Sequence, residues 1–355
     1  MQKLLSKIGY AFFTLFGVVS VVFLLFNVLP GDPTKMMLGE NQTQAQVDLL
    51  RVKYGFDQPV YKQYLYYLND LSPISLHSTH TKNFTSLKDK PISYTTIFKT
   101  EELQLVIKFP YLRRSFQKQN KAVSEIIGET LPNTAILAIS AISIALIIGL
   151  ILGILSAIYQ DSWLDKFIQV VSTLGMSVPS FFSAILFAWL FGFVLHEYTN
   201  LNMTGNLYEL DDFGEQKNLV LKNLLLPAVV LGIRPLAVVI QLMRNSILEE
   251  LSKDYVVTAK AKGLKLKQII IKHVFKNALN PVITAISGWF ASMLAGAVFV
   301  EYIFGWNGLG KEIVNALNTL DLPVIMGSVL IIATIFIVIN ILVDVIYSIL
   351  DPKVN

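Results

Sequence analysis

The chain has 355 residues, of which 54% are hydrophobic and 15% are charged, and its formal net charge is +4. Soluble domains carry about a quarter charged residues, whereas several runs here reach the roughly 20 apolar residues that a helix needs to cross a bilayer. The composition excludes an ordinary soluble protein and predicts an all-α integral membrane protein. The chain has no cysteine, which excludes disulfide bonds and thiolate metal sites. No second pair of ligands accompanies His77 and His80, so we predict a polar loop there and no metal site.

The N-terminus predicts a first transmembrane helix over residues 1–30. Lys3 and Lys7 precede an apolar run from Tyr10 to Leu29, and the turn-forming sequence PGDP follows at 30–33. A cleaved signal peptide has a shorter apolar core than this run. We therefore expect an uncleaved helix with its basic end in the cytoplasm.

Residues 31–130 form a long, mixed segment that we expect outside the cytoplasm. Residues 44–71 show two short helical patterns separated by Gly55 and Pro59. Residues 72–109 are polar and mixed, with IFKT and LQLVIKF as candidate strands, and residues 122–129 predict an amphipathic helix leading into the second span. The segment is large enough to contact a soluble partner or to cap the membrane domain.

Five further apolar runs bring the predicted number of transmembrane helices to six. They lie at about Ile136–Tyr159, Phe167–Leu195, Leu224–Met243, Val282–Val300 and Val324–Leu350. From a cytoplasmic N-terminus, six spans place the tail 351–355 in the cytoplasm and make residues 131–350 a five-helix core. The loop 247–280 then lies inside, and it carries seven lysines between Lys253 and Lys276, against the single acid Asp254. This asymmetry agrees with the positive-inside rule.

Prolines interrupt the predicted third and fourth spans. Pro179 and Pro235 each remove a backbone hydrogen bond, either as packing kinks or where a water-filled path satisfies the freed carbonyls. Arg234 lies near the middle of the fourth span, where a buried charge is expensive and usually faces a partner or a cavity. Either it lines the path and meets a substrate carboxylate, or it pairs with Asp344 in span six. The candidate translocation-path residues are Ser177, Pro179, Arg234 and Asp344.

One apparent nucleotide motif is rejected. GWNGLGK at 305–311 has the glycine and lysine spacing of a phosphate-binding loop, but Glu312 stands where that loop needs Ser or Thr. The stretch also follows a predicted helix rather than a strand. We therefore expect this chain to bind no cofactor of its own and to have no catalytic residues.

The lysine-rich stretch reads as two short helices. Leu266, Ile269, Ile270 and Val274 recur at helical spacing, and Gly263 separates them from an earlier helical piece, as a glycine in a left-handed turn does. The stretch is either a basic helix on anionic lipid or a helix that docks a cytoplasmic protein. Small residues at Ala259, Ala261 and Gly263 favour docking, because a lipid-binding helix has no need of them.

The stretch Tyr255–Pro281 resembles the cytoplasmic signature loop of bacterial ABC importer permeases. That loop has two small residues, three variable residues, a glycine and a hydrophobic–proline ending, matched here at Thr258, Ala259, Gly263 and residues 277–281. Nearly the whole chain is similar to the dipeptide/oligopeptide/nickel branch of that family. The supporting stretches are FNVLPGDP at 26–33, YGFDQPVYKQYLYYL at 54–68, ETLPNTAILA at 129–138, LGMSVPSFF at 174–182, VFVEYIFGWNGLG at 298–310 and NILVDVIYSILDP at 340–352.

The sequence departs from the family pattern at several positions. Val257 replaces the usual opening glutamate of the loop, and Asn280 interrupts the usual Leu-Pro. Residues 72–109 resemble an insertion, and Arg234-Pro235 replaces a pair that is commonly small or apolar. The resemblance implies these ATPase-coupling residues: Tyr255, Thr258, Ala259, Gly263, Leu266, Ile270, Asn277 and Pro281.

The resemblance implies a permease with six transmembrane helices, in the cytoplasmic membrane of a bacterium. Its expected partners are a second homologous permease, two cytoplasmic ABC ATPases that bind ATP and Mg, an extracytoplasmic substrate-binding protein and the lipid bilayer, with no nucleic acid. Peptides are the expected cargo, and nickel chelates or other small solutes are the alternative. An ATP-independent channel or secondary transporter is the competing class. A membrane anchor that scaffolds an enzyme is a third possibility, which explains the helices but not the signature loop.

Overall fold

The computed structural model describes residues 2–28, 33–38, 43–81, 83–88, 90, 92–118, 121–211 and 213–350. The predicted PGDP turn lies mostly outside these residues, and the predicted tail 351–355 lies wholly outside them. The chain divides into two compact units, one comprising Met1–Glu129 and Ile313–Thr334, and the other comprising Thr130–Glu312 and Ile335–Asn355.

Helices dominate the described residues, and two small sheets accompany them. The first elements are α1 (Gln2–Val28), α2 (Pro33–Leu38), α3 (Gln44–Tyr54), α4 (Val60–Leu71), β1 (Ile74–Ser78), β2 (Tyr94–Lys99), β3 (Leu103–Lys108), α5 (Val123–Ile158), α6 (Trp163–Ser177), α7 (Ser180–Trp189), α8 (His196–Thr199), β4 (Tyr208–Leu210) and β5 (Lys217–Leu219). The remaining elements are α9 (Lys222–Glu250), α10 (Asp254–Ala261), α11 (Leu266–Ile269), α12 (Phe275–Gly296), α13 (Val298–Phe304), α14 (Leu309–Asn318) and α15 (Leu322–Leu350).

In the first unit, local signals define the short helices α3 and α4. Thr43 accepts a hydrogen bond from the backbone of Gln46 in a capping box that begins α3, and Gly55 ends the helix in the left-handed region, at φ 74°. Pro59 precedes α4, so the two predicted helical patterns are confirmed. α4 packs against α1 through Tyr64 and Tyr67, and the hydroxyl groups of Ser20 and Tyr64 are 2.6 Å apart.

Three antiparallel strands follow α4, in the order β1-β3-β2. Except for their last residues, Thr100 and Phe109, the predicted IFKT and LQLVIKF lie in β2 and β3, so both strand predictions are confirmed. On β1, Ser75 and His77 are buried while Ile74 and Leu76 are exposed. Because side chains alternate between the two faces of a strand, the buried face of β1 is polar and its exposed face is apolar.

Long helices form the second unit. The predicted amphipathic helix at 122–129 and the second span are one continuous helix, α5, which contains Pro132 in its third turn. Because proline has no amide hydrogen, the helix lacks one backbone hydrogen bond there and nevertheless continues to Ile158. At the start of α9, Asn223 is buried and donates to the Asn206 carbonyl (3.0 Å) and to Glu209 (2.6 Å), which attaches the helix to the segment containing β4.

The prolines act differently from one another. Pro179 separates α6 from α7, and the two helices are bent by 109° at this break. Pro235 lies inside α9, which continues without a break from Lys222 to Glu250, so the predicted interruption of the fourth span is wrong. The helix lacks one backbone donor at Pro235. It continues because the turns on both sides of the proline keep their hydrogen bonds.

Four helices in the described residues are long and apolar enough to cross a membrane, or five if the bent pair α6–α7 is one span. The four are α1, α5, α9 and α15. α12 and α13, which carry the fifth predicted span, are not among them. The structure therefore supports a helical membrane protein with four to five spans by length and composition.

Candidate coupling site and translocation path

The lysine-rich segment folds as the predicted pair of short helices, α10 and α11, followed by a π-helical turn at Ile270–Val274 and then α12. Its apolar face packs inward: Val256, Ala259, Ile269 and Ile270 are buried in one cluster together with Ile247 of α9. The lysines of the segment are exposed. The segment is thus anchored to the second unit by one face and presents a basic face outward.

The predicted coupling residues divide by exposure. Ala259 and Ile270 are buried and serve as anchors, and the other six are exposed: Tyr255, Thr258, Gly263, Leu266, Asn277 and Pro281. Val257 is also 60% exposed, at the position where the family pattern has a glutamate. A partner can therefore reach most of the predicted residues.

Gly263 forms the turn between α10 and α11. Its φ is +80°, in the left-handed region that favours glycine, and its amide donates to the Lys260 carbonyl (2.9 Å). A Cβ added at Gly263 would meet no atom of the described part of the chain within 4 Å. Backbone conformation, rather than lack of space, explains the glycine, and the predicted left-handed turn is confirmed.

Glu250, at the end of α9, fixes the position of the lysine-rich segment. The sequence patterns did not identify this residue. Its buried carboxylate accepts hydrogen bonds from Tyr255 Oη (2.6 Å) and Asn277 Nδ2 (3.3 Å), and from the ammonium of Lys253. Burial raises the pKa of Tyr255, and the hydrogen bond to Glu250 raises it further, so the phenol stays a donor at neutral pH. One carboxylate joins the ends of α9, α10 and α12. An acid directly before a run of lysines is the signal that could have identified it.

Arg234 lies beside the break between α6 and α7. Its Nη2 is 3.5 Å from the carbonyl oxygen of Val178, and its Nε is buried without a hydrogen-bond partner among the described residues. The side chain borders a cavity of about 100 Å³ that is also lined by Ser180, Ser183 and Trp289. Such a cavity holds a few water molecules, since each takes about 30 Å³ of liquid volume, and it is too small for a peptide.

The structure brings together only part of the predicted path. Arg234 lies beside the backbone at Val178–Pro179, but the hydroxyl of Ser177 donates to the Thr173 carbonyl (2.9 Å) within its own helix. Asp344 lies on α15, where the structure describes only the backbone, so the alternative pairing of Arg234 with Asp344 falls outside the described side chains.

Comparison with known families decides the class of the protein. The family described as binding-protein-dependent transport system inner membrane component matches residues 149–355. A second model, described as the N-terminal part of such membrane components, matches residues 1–82. The chain belongs to this family. The resemblance drawn from the signature loop is therefore confirmed, and residues 83–148, with β2 and β3, lie between the two matched ranges.

Relatives of this permease cover its full length. It is 32% identical to the dipeptide transport system permease protein DppB of Alkalihalophilus pseudofirmus, over 100% of this chain and 98% of that protein. It is 30% identical to the di/tripeptide transport system permease protein DppB of Pseudomonas aeruginosa, over 98% and 97%. An inward-facing structure of the MetNI methionine ABC transporter matches with 15% identity and a TM-score of 0.48, over 63% of this chain and 95% of that chain.

The permease contains a buried ion pair that the sequence patterns also missed. Arg244 Nε and Nη2 donate to Asp165 at 2.8 and 2.7 Å, and Asp165 is 2% exposed. Asp165 also accepts from the hydroxyl of Ser156 and from the amide of Asp161 (2.9 Å). Arg244 lies just beyond the predicted end of the fourth span, and because α9 continues to Glu250 it lies inside the helix. The two-pronged pair fixes α9 to the ends of α5 and α6.

The rejected phosphate-loop stretch of this permease surrounds a carboxylate. Glu301 on α13 is fully buried and accepts from Thr134 Oγ1 (2.7 Å) and from the Lys311 amide (3.1 Å). A Cβ at Gly308 or Gly310 would clash with this carboxylate. The glycines therefore allow a close approach to Glu301, and the stretch follows a helix, as predicted.

Proposed function

We propose that this permease is a subunit of an ATP-driven importer that moves di- and oligopeptides across the cytoplasmic membrane, with ATP hydrolysed by separate subunits. The observation that carries the proposal is the coupling segment: two short helices with a glycine turn, buried on one face and basic on the other. The names of the dipeptide and di/tripeptide permeases, similar over the full length, support peptides as cargo.

The proposed topology has six spans, with both termini in the cytoplasm. α1, α5, the bent pair α6–α7, α9, α12 and α15 are the six candidates, which adds α12 to the helices that are long and apolar enough by composition. Residues 31–130 then lie outside the cytoplasm, with 72–109 as an insertion in that segment. Residues 131–350 form the permease core, and the loop 247–280 faces the cytoplasm, in line with its seven lysines.

The proposed mechanism moves α9 and α12 through the coupling segment. A cleft on a cytoplasmic ATPase receives α10, and closure of the ATPase pair on ATP displaces this helix. Glu250 ties α10 to the ends of α9 and α12, so the displacement reaches both helices. ATP binding thereby biases two arrangements of the spans, because the partner contacts them differently.

The other proposed partners act around this core. A second homologous permease completes the path, and a binding protein delivers the peptide outside. ATP and Mg belong to the ATPase subunits. Arg234, beside a small cavity at the α6–α7 break, is the proposed contact for a peptide carboxylate when the path opens.

The test is substrate-stimulated ATP hydrolysis and peptide uptake by the chain purified with its partner subunits in lipid. Gly263→Glu is expected to leave the assembly folded and to abolish peptide-stimulated hydrolysis, because it strains the turn and reverses the local charge. Gly214→Glu is the matched control, since Gly214 also has a positive φ (+73°) and open space around its Cβ position, but lies between β4 and β5.

Two results would contradict the proposal. Normal coupling in the Gly263→Glu assembly would remove the coupling role of this segment. Peptide uptake by the chain alone, without ATP, would indicate a secondary transporter. Competition of peptide uptake by nickel chelates tests the alternative cargo.

A further inference from the structure

The first unit contains a cleft of about 970 Å³. Its walls are α3, the residues that connect β1 to β2, and residues 111–116. Pockets for small ligands have volumes of about 300–1,000 Å³. The cleft is therefore large enough for a peptide of a few residues, unlike the cavity beside Arg234.

Cations outnumber carboxylates around this cleft. Lys53, Lys90, Arg113 and Arg114 line it, against Asp48 and Asp70. Asp70 is already engaged, because its two oxygens lie 2.9 Å from Arg113 Nε and 3.8 Å from Lys90 Nζ. A ligand with a negative charge would offset the excess positive charge of the side chains that line the cleft.

Lys90 lies between aromatic rings, with its charge incompletely satisfied. Its ammonium is 5.3 Å from the ring centre of Phe84 and 5.2 Å from that of Tyr111, and it has no hydrogen-bond acceptor among the described residues. Burial lowers the pKa of Lys90, and Asp70 partly opposes this effect. A buried ammonium without an acceptor is costly, so an added acceptor is favourable here.

The walls of the cleft also offer apolar surface. Leu49 and Val52 on α3 are 71% and 60% exposed, and the rings of Tyr54 and Phe116 meet edge to face with centres 5.1 Å apart. Apolar and aromatic walls with a few fixed charges are typical of sites for amphipathic small ligands. Short peptides combine apolar side chains with a terminal carboxylate.

We propose that this cleft is a second peptide-binding site of the chain, in which the terminal carboxylate of a short peptide lies among the cations near Lys90. The site is separate from the region around Arg234 and lies partly in residues that neither family model matches. The proposal rests on the proposed peptide cargo.

The test uses the chain with its partner permease in lipid nanodiscs, without ATP or binding protein. Calorimetry measures the affinity for triphenylalanine and for its C-terminal amide. The free acid is expected to bind at least about 10-fold more tightly, since a hydrogen bond to a charged group contributes about 1.5–3 kcal/mol. Lys90→Met should remove this preference and Lys90→Arg should restore it.

Controls separate the possible sites. Lys99→Met, which changes an exposed lysine on β2, should keep the wild-type preference. If Arg234→Met abolishes binding and Lys90→Met does not, the peptide binds in the path and the proposal is overturned. If the preference for the free acid survives Lys90→Met and affinity for the binding protein falls, the cleft is a protein-docking surface, which also overturns the proposal.

The result is distinguishable from failure of the proposed function. If the assembled transporter takes up peptides while Lys90→Met leaves the preference for the free acid unchanged, only the cleft proposal fails. If the assembly takes up no peptide, the proposed cargo fails. Equal unfolding temperatures of wild type and Lys90→Met show that a loss of preference does not come from misfolding.

Discussion

At the scale of single residues, buried carboxylates organise the second unit. Glu250 accepts hydrogen bonds from two neighbouring helices, Asp165 holds Arg244, and Glu301 lies beneath two glycines. A buried carboxylate is stable only when donors satisfy it. Each of these side chains therefore fixes the position of the groups that surround it.

Neutralising Glu250 should loosen the coupling segment. Glu250→Gln keeps the shape of the side chain but loses the charge that Lys253, Tyr255 and Asn277 contact. Hydrogen bonds to charged groups contribute about 1.5–3 kcal/mol, so we expect amide exchange in α10 to accelerate by about 10-fold. Hydrogen-exchange mass spectrometry of the nanodisc-embedded chain measures this.

The neighbouring acid provides the control. Glu249→Gln removes the same charge from an exposed position on the same helix and should leave exchange in α10 unchanged. Equal exchange rates in the Glu250 and Glu249 variants would show that Glu250 does not hold the segment.

At the scale of elements, the patterns that act locally were predictable. Gly55 and Pro59 separate α3 from α4, and Gly263 separates α10 from α11, because glycine and proline act through their own backbone. The effect of Pro235 was not predictable, since the hydrogen bonds of the adjacent turns decide whether a helix continues through a proline.

The candidate site was predictable to a smaller extent. The signature loop located the pair of short helices α10 and α11. The helical spacing correctly indicated Ile269, Ile270 and Val274 as buried, whereas Leu266 is exposed. Glu250 and the pair Asp165–Arg244 depend on contacts between residues far apart in the chain. Such contacts leave no periodic pattern in one sequence. The position of Arg234 beside the break between α6 and α7 was not predictable for the same reason.

The sheet β1-β3-β2 should be sensitive to acid through His77. The Nδ1 of His77 is 2.8 Å from the Thr85 carbonyl and its Nε2 is 2.9 Å from the Ser75 hydroxyl, which suits a neutral ring. Burial lowers the pKa of His77 from its usual 6.5, while the Thr85 carbonyl and Asp70 raise it less strongly and Lys90 and Lys108 lower it. His77 therefore takes up a proton on unfolding as the pH falls below 6.5. The stability that the neutral ring contributes to the fold is present above pH 6.5 and is lost as the pH falls through the lowered pKa.

When the pH is lowered from 7 to below 6.5, we expect the protection of β1 from hydrogen exchange, corrected for the intrinsic exchange rate, to fall. His77→Gln should flatten this dependence. His80→Gln alters an exposed histidine of the same segment and should keep it. A wild-type profile that is already flat would show that His77 is not the sensitive group.

At the scale of the whole molecule, the fold of this family member rests on long helices. In the described residues, four helices, or five with the bent pair α6–α7, are long and apolar enough to cross a membrane, and α12 is the proposed sixth. The natural chain has no cysteine, so single cysteines report accessibility without further changes to the sequence.

Cysteine labelling should place the two charged regions on opposite sides of the membrane. In intact cells, a membrane-impermeant maleimide is expected to label Lys99→Cys and Lys217→Cys, which are exposed on β2 and β5. Lys260→Cys on α10 should react only after the membrane is opened. Labelling of Lys260→Cys in intact cells would contradict the topology that the positive-inside rule predicts.

The continuous helix α9 is clamped at both ends, by Asn223 at its start and by Glu250 at its finish. Its 29 residues span about 44 Å at the usual rise per residue. A helix that is held at both ends bends where its backbone hydrogen bonding is weakest. In α9 the backbone donors are missing at Pro227 and Pro235. We therefore expect mechanical strain that enters from either end to concentrate at these two prolines, the second of which directly follows Arg234, the charged side chain beside the break between α6 and α7.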